Sequence, residues 1–415
     1  MIQTEDRLRD AYRAVVQAVG PEDIPELPLP RPRGYGRTAG RNWAGVVMPL
    51  GAAAAVVALI VTASIIVPRF AAGTRHARGH APAPAAAGRA DGSLPEFTIV
   101  NSGGRLQVVE TTTGRVTGTL AAPPGQSFAQ ATGAADDRTF LVAADLSPQP
   151  SCQTFLYRFT LDGTGRPSGL SSLPVPAPAG TLPTALAVNA AGHVAALSQV
   201  TCATGATTTI SNSHPIGGIH LIDLGTGQVI RTWSYSLGSD TPGELSMSAD
   251  GSTLTFPAFV NANETVARVL AASAPSEPTE TAARIVVRQP AGAYAGVDGT
   301  AIAADGRTLF VCTHTGSSPG HISRTIAAYD AASGQQLRVL RTWTSVTDLS
   351  CGISADPSGG SLLVAVNHYT GGTPSRSGKR PGGSAVAMAL NVATGALTTL
   401  PIHLTVPAGS GSLAW

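Results

Sequence analysis

The chain has 415 residues, 27 Lys and Arg against 25 Asp and Glu, and a formal net charge of +2. From residue 97 onwards it carries sixteen basic and seventeen acidic residues. That near-neutral balance lacks the concentrated positive charge a phosphate-rich partner requires, and nucleic acid is excluded as a partner.

The first predicted element is a helix over residues 4–19. Leu8, Tyr12, Val15, Val16 and Val19 share one face at helical spacing. Glu5 and Asp6 stand near its positive end, and Gly20-Pro21 stops it. So short a helix cannot bury a core, so it either meets a cytoplasmic partner or stays marginal. Residues 21–42, rich in Pro, Gly and Arg, read as extended, and 1–42 as a cytoplasmic tail.

Trp43 to Val67 is a stretch of 25 residues without a charge. Its length suffices to cross a hydrocarbon core of about 30 Å. It begins too late for a cleaved signal peptide, and no A-x-A site follows closely, which points to an uncleaved signal anchor. A buried core helix is the alternative. Arg31, Arg33, Arg37 and Arg41 precede the span, and Arg69, Arg75 and Arg78 follow it. This bias puts the N-terminus in the cytoplasm. Residues 68–96, with Ala81-Pro82-Ala83-Pro84, read as a linker. The expected location is the cell membrane, single-pass, with the domain at 97–415 extracytoplasmic.

Within that domain the periodicity is that of strands, with no convincing helix. Five turns of A-D-G type each precede an apolar strand: at Asp136-Asp137, Ala191-Gly192, Asp250-Gly251, Asp305-Gly306 and Asp356 to Gly360. They recur every 51–59 residues, the spacing of a four-stranded blade. A second unit follows each one, a strand, a T-G or S-G turn and a returning strand, as in Ile219 to Trp233 and Ile326 to Leu340. Radial repetition of such sheets gives an all-β propeller. Six blades are expected, near 126–175, 182–236, 243–290, 297–343 and 348–402. The sixth joins 97–120 to a last strand at Ser412 to Trp415 and so leaves no open sheet edge. Seven blades fit if a long loop conceals one more, and paired β-sandwiches are the rival fold.

These motifs resemble the WD40-like and YVTN-type propellers of bacteria. The full layout, from the R-L-R-D-A-Y-R helix through one span to the repeats, is similar to membrane-anchored propellers of actinobacteria. The resemblance implies a fold and a location and brings no activity with it.

All four cysteines, Cys152, Cys202, Cys312 and Cys351, lie in the large domain. Pairings of Cys152 with Cys202 and of Cys312 with Cys351 are favoured because each joins neighbouring repeats, with buried free thiols as the alternative. His314, His321 and His368 with Cys312 form the one tempting metal set, but Cys312 is better used in a disulfide, and no metal or other cofactor is expected. No G-x-S-x-G elbow occurs. Asp250, Asp305 and Asp356 repeat at blade turns, which marks them as turn formers rather than catalytic acids. Residues 203–218 and 370–384 are long Ser/Thr/Gly-rich loops, and the face bearing 314–321 and 370–384 is expected to contact a ligand or protein. It would hold His314, His321 and His368 beside Arg376, Lys379 and Arg380, the densest basic cluster of the domain. The reading is a membrane-anchored binding or sensory propeller without catalysis that meets an extracytoplasmic protein or small ligand. A hydrolase or lyase with its site at the channel is the alternative, and convergent carboxylates there would favour it.

Overall fold

The computed structural model describes residues 94–415 apart from 103, 147–151, 175–179, 203–215, 237–241, 262–263, 291–294, 317–320, 346–347, 357–358, 370–382 and 407–412. Six four-stranded antiparallel sheets make up the fold, one per blade. Blade 1 holds β1 (Phe97–Ser102), β2 (Arg105–Glu110) and β3 (Val116–Ala121). Blade 2 holds β4 (Gln126–Gly133), β5 (Thr139–Leu146), β6 (Thr154–Thr160) and β7 (Ser171–Ser172). Blade 3 holds β8 (Thr181–Val188), β9 (Val194–Thr201), β10 (Ile216–Asp223) and β11 (Gln228–Ser236). In blade 4, β12 (Ser246–Met247) leads to β13 (Thr253–Asn261), β14 (Glu264–Ala271) and β15 (Arg284–Pro290), with a single helical turn, α1 (Thr279–Ala282), before the last. Blade 5 holds β16 (Ala295–Ile302), β17 (Thr308–Gly316), β18 (Ile322–Asp330) and β19 (Gln336–Ser345). Blade 6 holds β20 (Asp348–Ala355), β21 (Ser361–Tyr369), β22 (Gly383–Asn391) and β23 (Leu397–Val406). The last strand, β24 (Leu413–Ala414), pairs with β1 on the channel side of blade 1, and the ring closes with strands from both ends of the repeat region.

Strand alternation explains why the blades stack. Successive side chains point to opposite faces, so Phe140, Val142 and Ala144 of β5 pack toward blade 1 while Leu141 and Ala143 pack toward blade 3. The same division gives one apolar cluster at each of the six blade junctions.

The two ends of the ring differ in kind. At one end lie the turns between first and second strands. Asp136, Asp250 and Asp305 each accept backbone N–H bonds from residues two or three ahead, as in Arg307 to Asp305 at 2.8 Å. These turns also join each other. Ala135 N–H donates to Ala190 O, Ala190 to Ala249 and Ala249 to Ala304, each at 3.0 Å. A left-handed residue closes every such turn: Gly192, Gly251, Gly306 and Gly359 in four of them and Asp137, at φ 55°, in blade 2. The opposite end carries the connections between blades and between second and third strands.

The sequence-based topology requires correction. Among the described residues no helix is long and apolar enough to cross a membrane. The expected span at 43–67 and the amphipathic helix at 4–19 both lie outside the described residues. The transmembrane helix, the amphipathic helix and the single-pass location therefore drop out of the description.

Candidate functional site

Inner strands of several blades share a bulge, one residue standing unopposed by the neighbouring strand. Ala129, Thr184 and Asp298 occupy it in β4, β8 and β16. A bulge interrupts the ladder and turns a side chain away from its regular direction. In blades 2 and 3 the carbonyls so freed are taken up by a neighbouring amide: Asn101 Nδ2 donates to Ala129 O at 3.2 Å, and Gln130 Nε2 to Thr184 O at 2.9 Å. In blade 5 the bulged residue carries a carboxylate.

Three strands of blade 5 meet at that carboxylate. Gly296, His314 and Arg324 stand opposite one another in register across β16, β17 and β18. Asp298 Oδ1 lies 2.9 Å from His314 Nδ1, and Oδ2 accepts from Arg324 Nη1. The Arg324 side chain is fully buried, and those of Asp298 and His314 are 8% and 13% exposed. A β-carbon on Gly296 would come within 2.9 Å of His314 Cε1 and 3.4 Å of Thr265 Oγ1, so the glycine makes room for the imidazole. Thr265 Oγ1 accepts Val297 N–H at 2.8 Å and ties blade 4 to the bulge.

A second carboxyl approaches from the chain entering blade 4. Glu244 lies just before β12, and counting back from the turns it matches Gly299 of β16 and Gly352 of β20. Its side chain fills the space those glycines leave: a β-carbon at Gly352 would lie 2.5 Å from Oε1, and one at Gly299 3.1 Å from Oε2. The residue is partly exposed, but its Oε2 has no accessible surface and no hydrogen-bond partner among the described residues. Burial pushes the Glu244 carboxyl up to about 8, and the charge of Asp298 pushes in the same direction while the N–H of Ile353 opposes them. Glu244 is thus a neutral acid at pH 7 beside a carboxylate held by arginine.

The polar groups of blade 3 form a contrast. Thr184 Oγ1 and Ser198 Oγ are 2.7 Å apart, Ser198 Oγ and Tyr235 OH 2.8 Å, and Tyr235 OH donates to Gln199 O at 2.8 Å. These partners satisfy one another and serve the packing of the blade. A groove of about 720 Å³ between blades 1 and 2 includes Glu110, Arg115 and Asp162 in its lining. Its charged groups are engaged locally, Arg115 with Glu110 at 3.2 Å and Asp162 with its own turn.

Of the residues singled out from the sequence, His314 belongs to the cluster. His321 is exposed immediately before β18. His368 lies in β21, in register with Asp348 and Ser384. Arg376, Lys379 and Arg380 lie outside the described residues. Cys312 and Cys351 are disulfide-bonded across blades 5 and 6, and Cys152 and Cys202 across blades 2 and 3. Among the described residues no group of three or more His, Cys, Asp or Glu is placed to hold a metal ion. Glu244, Asp298 and Arg324 carry the site without having been singled out. One signal was legible: aligned on the turns, Glu244 is an acid where the following two repeats have glycine.

No family model and no curated protein matches the chain. Among solved structures, hydrazine synthase of Kuenenia stuttgartiensis is similar at 14% identity and TM-score 0.38, over 74% of this chain and 90% of that one. A hypothetical selenium-binding protein from Sulfolobus tokodaii gives 11% identity and TM-score 0.41, over 77% and 93%. A functionally unknown protein from Desulfotomaculum acetoxidans gives 11% and 0.38, over 77% and 99%. Similarity at this level carries no argument about activity. The expected membership in the membrane-anchored WD40-like and YVTN-type propellers of actinobacteria is corrected accordingly, because no such family matches. With it go the partnership with a membrane through one helix, the extracytoplasmic location and the anchored sensory role.

Proposed function

We propose that the protein is a ligand-binding propeller whose recognition group is the imidazole of His314, without catalysis. The single observation that carries this reading is the contact of Asp298 Oδ1 with His314 Nδ1 at 2.9 Å. The carboxylate stands at ion-pair distance from Nδ1 without hydrogen-bond geometry, so it favours the imidazole electrostatically and leaves Nε2 as the nitrogen that can meet a ligand. Gly296 supports the reading by clearing the space beside the ring.

Binding is favoured over acid–base chemistry by how the neighbouring groups are used. Asp298 is held by Arg324, Thr265 by Val297, and Glu244 Oε2 is enclosed. An acid–base pair needs two groups that both reach the substrate. Here one group does.

Thermal-shift screening of monosaccharides, amino acids and nucleosides against the wild type and His314→Asn tests the reading. A compound class that stabilises the wild type and not the variant supports it. Equal stabilisation of both proteins, no stabilisation by any class, or conversion of a bound compound to product overturns it.

A further inference from the structure

We propose that Glu244 is a proton-operated plug that ties blade 4 to the inner strands of blades 5 and 6 and, by leaving its slot, loosens the His314 site. This rests on the binding reading for its consequence, and on separate geometry for its mechanism.

The geometry is a side chain standing in for missing strand. The first strand of blade 4, β12, has 2 residues where β8, β16 and β20 each have 8. Glu244 lies in the stretch that would continue β12, and its carboxyl reaches between Gly299 and Gly352 on the inner strands of the next two blades. Ile353 N–H donates to it. One side chain therefore bridges three blades through a slot that two glycines keep open.

The charged groups around it fix the direction of the response. β16 presents Asp298, itself in contact with His314 of β17 and Arg324 of β18, while β20 meets the carboxyl with Gly352 and the N–H of Ile353. Arg324 is engaged with Asp298, so an ionised Glu244 would face a like charge with its Oε2 shut off from solvent. A protonated Glu244 fits there. A deprotonated one gains by moving to water. Its ordinary pKa is 4.5 and its value in the fold about 8. The contribution of the plug is therefore complete below 4.5 and is lost as pH rises through about 8.

The test follows the Ile353 amide by NMR from pH 5 to 9, beside thermal unfolding of the wild type and Glu244→Gln, whose amide is a neutral isostere. The expected result is a reversible shift of the Ile353 amide with a midpoint near 8. The wild-type melting temperature should fall over that range more steeply than that of Glu244→Gln. An Ile353 amide that does not titrate, or equal pH dependence in the two proteins, overturns the plug. The wild-type titration stands alone if the variant fails to fold. Binding of a screened compound that persists while Ile353 stays fixed sinks the plug alone. A titrating Ile353 without any His314-dependent ligand sinks the binding reading alone.

Discussion

Glu244 Oε1 lies 2.5 Å from the position a β-carbon on Gly352 would take. A side chain on one blade thus depends on the absence of a side chain two blades away. Gly352→Ala should expel the carboxyl from its contact with Ile353 N–H and cost about 1–3 kcal/mol, the usual price of overpacking. In the Glu244→Ala background the same change should cost much less. Urea unfolding of the four proteins of that cycle measures the coupling.

Asp298 lies against the fully buried Arg324. Taking a carboxylate away from a buried guanidinium is more damaging than never having had the pair, and Asp298→Ala should lose about 3–5 kcal/mol. Adding Arg324→Met should recover much of that loss, because the site then holds no buried charge. Failure of the second substitution to recover stability in urea melts would show that the pair is not the main reason for the first loss.

The disulfides close sequence separations of 50 and 39 residues. Chain entropy assigns each about 4 kcal/mol, with little difference between them. Packing should separate them. Cys312 and Cys351 are both fully buried within the apolar cluster between blades 5 and 6, whereas Cys202 is partly exposed. Replacing Cys312 and Cys351 with Ala should therefore lower the melting temperature more than replacing Cys152 and Cys202, as calorimetry of the two double variants would register.

On the acid side the turns set the limit. For Asp250, burial works against ionisation, but bonds from the Ser248 hydroxyl and from Ser252 outweigh it and hold the carboxyl below its ordinary value. Asp136 is lowered in the same way, burial being outweighed by Thr139 and Arg138. A lowered pKa in the fold means stability present above the unfolded value of 3.8 and lost as pH falls through the folded one. Melting temperatures should drop below about pH 4, and Asp250→Asn should make that drop shallower.

The repeats were legible because turns are local. An Asp followed by a left-handed residue specifies a turn from within a few positions; three such turns, with those at Ala191-Gly192 and Asp356 to Gly360 and the alternating strands, fix the blade spacing. Closure by β24 against β1 followed from the need to leave no sheet edge open. The polar site was legible only in part. Asp298-Gly299 looks like one more turn dipeptide, yet the strand runs through it and the aspartate becomes a bulge. Arg324 sits in an ordinary strand pattern, and only register with His314 makes it a partner. The helical turn at Thr279–Ala282 was not anticipated, since four residues give no periodicity to read.

The cross-links divide the ring unevenly. Cys152–Cys202 fastens blade 2 to blade 3, and Cys312–Cys351 fastens blade 5 to blade 6. Blades 1 and 4, three places apart in a circle of six, carry none. Both also have a first strand of only 2 residues, β24 and β12. Opening the ring across blades 1 and 4 would therefore break neither disulfide and would leave two cross-linked pairs of blades as intact arcs.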